Sequence, residues 1–428
     1  MVFKIGLLGL GTVGIGTAKI LLSPQGRHPL IHELEIYRVG VRDISKTRDV
    51  NISPNILTTD LEAIATDPDV DIIIELIGGL EPARSLILKA IEHGKHIVTA
   101  NKAVISRYGQ EIFDAANKKS VYVMLEAAVG GGIPVIQPLK ESLGVNRIHS
   151  ITGIVNGTTN YILTRMEKEG ANFADVLADA QRLGYAEADP TADVEGLDAK
   201  DKIAILGSLA FGSIIKLEDI YCEGISQITA ADITYAAQLD FVIKLLAIAK
   251  GYPNSTNSTS DKLQLRVHPT LIPKTHPLAS INDVYNAILI EGEPIGQVMF
   301  FGPGAGAGPT ASAVVSDIMS IAAILQTKTE PIPHPLLSCT HQKSCEIEPI
   351  KELITRFYTR FLTQDKPGVI GKLGSCFGKY NVSLESVVQT GIHNQLAEIV
   401  VVTHDVREGN FRQALGDIQS LDIIDSIP

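Results

Sequence analysis

Between Glu187 and Asp201 the chain carries six carboxylates: Glu187, Asp189, Asp193, Glu195, Asp198 and Asp201. It then enters the apolar run "KIAIL" (202–206), with Lys200 and Lys202 at the junction. Carboxylates this closely packed repel one another. A lysine entering an apolar segment loses hydration, which favours its neutral form, while a neighbouring carboxylate favours the charged form. Opposed influences of that kind poise an ammonium for proton transfer. On a helix at about 100° per residue, Lys202 shares a stripe with Asp198, Ile205, Leu206, Leu209 and Ala210, whereas Lys200 and Asp201 fall on the opposite flank with Gly207 and Ser208. Asp198 and Lys202 are therefore expected to face the interior, and Lys200 and Asp201 to be solvated. The plainer alternative is an amphipathic helix whose first turn holds an i,i+4 salt bridge.

A second constellation opens the chain. Gly9-Leu-Gly11-Thr12-Val13-Gly14 has the dinucleotide-binding spacing between a strand and a helix. Gly9 permits a tight turn, Gly11 lets a pyrophosphate approach the backbone, and Gly14 allows close helix–strand packing. The free N–H groups of the helix start would face the phosphates. A glycine turn without a ligand is the alternative. After the second strand, Arg42, Lys46 and Arg48 favour the 2′-phosphate of NADP, while Asp43 keeps NAD open. Lys102 follows "HIVTAN" (96–101), just past a parallel strand, where ligands of open α/β sheets bind. It also reads as a surface lysine at a helix start.

Short β-branched runs at 2–9, 34–41, 70–76 and 96–101 alternate with helical segments such as "EPARSLILKAIEHG" (81–94), which predicts a parallel sheet covered on both faces. The fold class is α/β. Residues 1–130 are expected to form a Rossmann-type nucleotide-binding domain, completed by the glycine turn and long helix of 302–325. Residues 131–301 change texture and read as an α+β substrate and dimerisation domain, with strong helices at 173–183 and 199–211. Residues 326–350, rich in proline, read as a linker. Residues 351–428 run strand, helix, strand, strand, helix, strand, the ferredoxin-like βαββαβ order.

The length of 428 residues suits two or three domains, and 45% hydrophobic with 20% charged residues is ordinary for a globular protein. A formal charge of −11 argues against nucleic acid or an anionic membrane surface as partner. No apolar run is expected to reach the length of a membrane span, and "MVFKIGLLGLG" lacks the features of a secretory signal and reads as a strand, so the chain is expected to begin here and to be cytoplasmic. Four cysteines make no disulfide framework. Cys339, His341 and Cys345 in "CTHQKSC" invite a metal, but their spacing fits no standard zinc pair and a surface linker is the simpler reading. The sequons of "NSTNSTS" (254–260) read as a polar loop.

The fingerprint, "ANKA" (100–103), "EAAVGGGIP" (126–134), "GIVNGTTNYIL" (153–163), "YAEADPTADVEGLDAKDKIAIL" (185–206) and "GPTASAV" (308–314) occur in the order found in homoserine dehydrogenases, which this sequence resembles from residue 1 to about 325. The C-terminal part, with "DKPGVIGKL" (365–373), is similar to an ACT domain. The resemblance implies reversible reduction of aspartate 4-semialdehyde to homoserine with NAD(P)H, on the route to threonine and methionine. It implies the form without a preceding aspartate kinase. Lys202 would be the acid–base lysine and Lys102 a second active-site lysine that also meets the cofactor. Glu187, Asp193 and Asp198, with Gly184 and Thr158, would hold substrate or orient the lysines. Gly304 and Gly306 would close over the cofactor. Glu126, with the main-chain oxygens of Val129, Gly131 and Ile133, would hold a structural monovalent cation, Na+ or K+. A homodimer or homotetramer is implied, with threonine as effector at the ACT domain, although that module could serve assembly alone. The family usually has histidine before its acid–base lysine. Here the residue is Asp201, which leaves two candidate lysines, and the helical stripe selects Lys202.

Two other readings compete. An acylating aldehyde dehydrogenase needs a thiol nucleophile, and Cys222 and Cys376 have neither a histidine nor a glycine-rich site beside them. A nucleotide- and amino-acid-sensing protein without catalysis would make little use of the Asp198/Lys202 pair.

Overall fold

The computed structural model describes residues 2–252, 262–327, 334–339, 343–393 and 396–428. The sequons at 254–260 and His341 lie outside these residues. Six parallel strands form the first sheet, ordered in space as Leu57–Thr58, Leu34–Gly40, Phe3–Leu8, Ile72–Glu75, His96–Thr99 and Val123–Met124. Alternate side chains point to opposite faces. Ile72 and Ile74 join one core and Ile73 the other. Helices Leu61–Thr66, Ala83–Glu92 and Lys102–Lys119 contribute to the core on the Ile73 side. Thr12–Leu22 and Ala307–Thr327 cover the opposite face.

Ala307–Thr327 corrects one expectation. By length and composition it is apolar enough to cross a membrane. Its apolar side is used otherwise, with Val314, Ile318 and Ile321 fully buried between the first helix and the sheet. The contact is close: a Cβ on Gly16 would lie 2.6 Å from the carbonyl oxygen of Ala307.

The second sheet is mostly antiparallel, in the order Gly296–Pro303, Tyr285–Glu293, Arg147–Ile154, Phe241–Tyr252, Lys262–Pro273 and Glu346–Ile347. Helices Gly157–Glu169, Phe173–Arg182 and Leu197–Phe211 share one core with it. The stretch expected to be a plain linker is stitched to its surroundings. Leu337 and Cys339 are buried. Asn117 Nδ2 donates to the Cys339 carbonyl at 2.9 Å, and Glu346–Ile347 extends the second sheet beside Lys262–Leu263. Hydrophobic residues and strand pairing hold the described residues of this segment in place, which its proline content hid.

The C-terminal module has the βαββαβ order, with strands Leu384–His393, Leu396–Thr403, Tyr358–Gln364 and Ile424–Ser426 adjacent in that order. Helices Val369–Lys379 and Glu408–Gln419 bury Leu373, Phe377, Phe411 and Ile418 against it. Its other face meets the helix Ala230–Gln238 through buried charges. Arg360 Nε donates to Asp232 at 3.0 Å and its Nη1 to Glu398 at 2.6 Å. The Tyr358 hydroxyl donates to Asp232 at 3.0 Å, and the Tyr235 hydroxyl to Glu398 at 2.5 Å.

Candidate active site

The site is built first at the carboxyl ends of the parallel strands. Glu75, fully buried at the end of its strand, accepts from the N–H groups of Ile77 and Gly78 at 3.0 and 3.1 Å. Its other oxygen accepts from Thr99 Oγ1 at 2.7 Å, and that hydroxyl accepts the N–H of Asn101. Asn101 caps the helix Lys102–Lys119 by accepting from Val104 N–H at 3.2 Å. This buried polar chain fixes where the first helical residue, Lys102, leaves the backbone.

Lys102 meets the carboxylate-rich stretch. Its Nζ lies 2.7 Å from Asp198 Oδ1, and Lys202 Nζ lies 2.7 Å from Asp198 Oδ2. Lys202 also donates to the carbonyl of Val155 at 2.6 Å. Burial alone would raise the pKa of Asp198, but the two lysines outweigh it and hold the carboxyl well below the usual range. Burial would likewise lower Lys102, yet the Asp198 charge and hydrogen bond raise it. Asn156 Nδ2 donates to Asp193 at 2.7 Å and to Asp198 Oδ2 at 2.9 Å. Five side chains from four segments are thus in one connected network.

Asp198 and Lys202 point inward, as the helical stripe implies. The opposite flank departs from expectation. Asp201 is buried, not solvated; its carboxylate accepts from Ser106 Oγ at 3.0 Å and from Arg107 Nη1 at 2.9 Å. The helix, which begins at Leu197 and not at 199, is sandwiched between the second sheet and the helix Lys102–Lys119. Its second flank is therefore covered by a neighbour distant in sequence. Lys200 is half-buried, with no ion pair among the described residues. Sequence reasoning missed Asn156, Ser106 and Arg107. Asn156 stands before Gly-Thr-Thr, a helix N-cap signal, but its contacts to Asp193 and Asp198 have no local signature.

The remaining acidic residues spread out. Glu187 is exposed on the loop that follows Gly184, which has φ +77°. Thr158 Oγ1 donates to the Tyr185 carbonyl at 2.7 Å and ties that loop to the helix Gly157–Glu169.

In the first turn Gly9 has φ +104°, and a Cβ on Gly14 would lie 2.2 Å from the Gly9 carbonyl oxygen. Gly11 has nothing within 4 Å of its Cβ position, leaving room for a ligand. Thr12 and Val13 begin the helix behind it. Beyond the second strand, Asp43 is committed to its own loop, accepting from Ser45 N–H at 2.8 Å and Ser45 Oγ at 2.6 Å. Arg42 is exposed. The turn with Gly304 and Gly306 leads into Ala307–Thr327 and so lies beside the first helix. These features fit a dinucleotide.

Glu126 is buried, and its carboxylate accepts from the N–H groups of Val135, Ile136 and Gln137 at 2.6, 2.8 and 2.7 Å. Val129, Gly131 and Ile133 are buried nearby, and the buried Asp317 accepts from Glu126 N–H at 2.8 Å. Burial and the Glu126 charge push the Asp317 carboxyl well up. Burial also pushes the Cys222 thiol up, the reverse of what a nucleophile needs.

Comparison with known proteins bears on this geometry. Residues 9–126 match the NAD binding domain of homoserine dehydrogenase, 134–319 the homoserine dehydrogenase family, and 357–422 the ACT domain. The homoserine dehydrogenase of Synechocystis sp. is 65% identical over 100% of this chain and 98% of its own. The chain belongs to the homoserine dehydrogenase family. It converts aspartate semialdehyde to homoserine with an NAD(P) cofactor. The crystal structure of a homoserine dehydrogenase from Thiobacillus denitrificans is 41% identical, with TM-score 0.91 over 100% of this chain and 97% of that one. A hyperthermophilic archaeal homoserine dehydrogenase in complex with NADPH is 25% identical, with TM-score 0.61 over 77% of this chain and 99% of that one. The Thiobacillus denitrificans structure thus matches all three parts of this fold, and the archaeal one about three quarters of the chain.

Proposed function

We propose that Lys202 is the proton donor to the aldehyde oxygen and the proton acceptor in the reverse reaction. The observation that carries this is the shared carboxylate. An ammonium has three donors. Two of those on Lys202 are held by Val155 and Asp198, so the third is aimed by the protein and left for substrate. A bound nicotinamide supplies or accepts the hydride. Negative charge then grows on the aldehyde oxygen, and a positioned cation lowers that barrier. Lys102, with one contact to Asp198 and its side chain 38% exposed, keeps donors for the cofactor and substrate. Asp193 and Glu187 take the substrate's ammonium.

NADP is the preferred cofactor. Asp43, the acid that would take the ribose hydroxyls, is engaged by Ser45, and Arg42 is left for a 2′-phosphate. The archaeal relative that binds NADPH supports this. The fingerprint residues Gly9, Gly11 and Gly14 and the turn at Gly304 and Gly306 hold the dinucleotide.

A monovalent cation, Na+ or K+, sits on the carbonyls of Val129, Gly131 and Ile133 beside Glu126. Those carbonyls accept no hydrogen bond among the described residues, and the buried Glu126 heads the loop that carries them. The Glu126 carboxylate itself is occupied by three N–H groups, so the carbonyls are the ligands that remain.

The ACT domain takes an amino-acid effector, threonine being the end product of the route. A cavity of about 250 Å³ lies between the end of the strand Tyr358–Gln364, Lys366, Gly368 and Gln389. The enzyme works as a cytoplasmic homodimer or homotetramer. Purified protein assayed with aspartate semialdehyde and either NADPH or NADH, with and without threonine, tests the cofactor and effector readings together.

A further inference from the structure

Asn156 lies after the strand Arg147–Ile154, and the expected proton-transfer roles leave it without a task. Its Oδ1 accepts from the N–H of Thr159 at 2.9 Å, capping the helix Gly157–Glu169. The backbone donor fixes which end of the amide is oxygen. Both hydrogens of Nδ2 are therefore directed at carboxylates, one on Asp193 and one on Asp198. Asn156 is 5% exposed, and among the described residues it is the one side chain hydrogen-bonded to both acids.

The two acids belong to different elements. Asp193 is on the short helix Thr191–Val194, Asp198 is on Leu197–Phe211, and the chain bends between them at Gly196, with φ +77°. Like charges at close range repel. The turn between the two helices, closed by Gly196 N–H donating to the Asp193 carbonyl at 3.0 Å, brings the two acids near each other, and the amide links their carboxylates from a third element, the start of Gly157–Glu169. Asp198 in turn orients Lys202.

We propose that Asn156 is a positioning residue for the reaction. Its two N–H groups fix the distance between Asp193, which holds the substrate's ammonium, and Asp198, which holds the proton donor. It thereby matches the site to the span between the ammonium and the aldehyde of one substrate. This rests on the preceding assignment of Asp193 and Lys202.

Asn156→Ser and Asn156→Asp separate this role from capping. Both residues cap helices well, and neither offers two donors to carboxylates. Aspartate keeps the shape of asparagine but adds a third negative charge. Aspartate semialdehyde is compared with 4-oxobutanoate, the same aldehyde acid without the ammonium. For Asn156→Ser, kcat/KM for the natural substrate should fall about 10²-fold, the scale of a small misplacement, while NADPH binding is retained. The loss for 4-oxobutanoate should be smaller, so the preference between the two substrates narrows. Asn156→Asp should be at least as impaired as Asn156→Ser. Equal proportional losses on both substrates, or an aspartate variant milder than the serine one, would overturn the proposal in favour of a structural cap. Asp193→Ala reads the underlying assignment separately: if that variant keeps the wild-type preference for the ammonium-bearing substrate, the assignment of Asp193 fails, whatever Asn156 does.

Discussion

Lys102 and Lys202 share a single counter-ion although they stand one hundred positions apart in sequence. Their ammonium groups sit on the two oxygens of Asp198, each at 2.7 Å. One lysine starts a helix of the NAD-binding domain and the other lies in the first turns of a catalytic-domain helix. The carboxylate therefore links the NAD-binding domain to the part of the chain that follows it.

Lys202→Ala should lower kcat about 10²–10⁴-fold, the range for losing a general acid. NADPH binding, followed by fluorescence titration, should stay near wild type. Lys200→Ala, at a half-buried position with no ion pair among the described residues, should be mild. Nearly normal turnover in Lys202→Ala would remove the assignment.

Asp198→Asn should lose stability as well as activity, because two ammonium groups lose their charge partner. Removing one member of a buried pair costs about 3–5 kcal/mol, and the partial exposure of Lys102 places this case toward the lower end. The folded-state pKa of Asp198 is depressed, so its contribution is present above the unfolded carboxylate value and lost as pH falls through the folded one. Denaturant melts should show a constant gap between wild type and variant from neutral pH down to about pH 5, narrowing below about pH 4.

Gly11→Ala and Gly14→Ala should fail differently. Gly11 has open space at its Cβ position and φ −87°, so alanine should leave thermal stability intact while raising the KM for NADPH at least about tenfold, by blocking the pyrophosphate. At Gly14 the added Cβ would meet the Gly9 carbonyl oxygen at 2.2 Å, so the melting temperature should fall too. Equal melting temperatures for the two variants would contradict this.

Arg360→Ala should loosen the ACT module from the catalytic domain. It would leave Asp232 and Glu398 buried without their guanidinium, a loss of about 3–5 kcal/mol. Calorimetry should then resolve a separate, earlier transition for the module, and any threonine response of the wild type should weaken. A single unshifted transition would argue that the contact carries no coupling.

The sequence by itself determined what depends on neighbours along the chain. The glycine spacing at 9–14 specifies the first turn, the alternation of runs specifies the parallel sheet, and the interval of four between Asp198 and Lys202 puts both on one helical stripe. Each follows from backbone periodicity, which is local. Tertiary structure alone decided the rest. Asp201 looked solvated because helical periodicity sees one apolar stripe, whereas Ser106 and Arg107 cover the other flank from about a hundred residues away. The segment before the ACT module looked like a free linker because its strand partner, Lys262–Leu263, lies on a distant strand. The same holds for the contact of Lys102 with Asp198 and for the reach of Asn156 to two acids. Hydrogen bonds and ion pairs between separate elements depend on where the fold brings them together, and that leaves no period in the sequence.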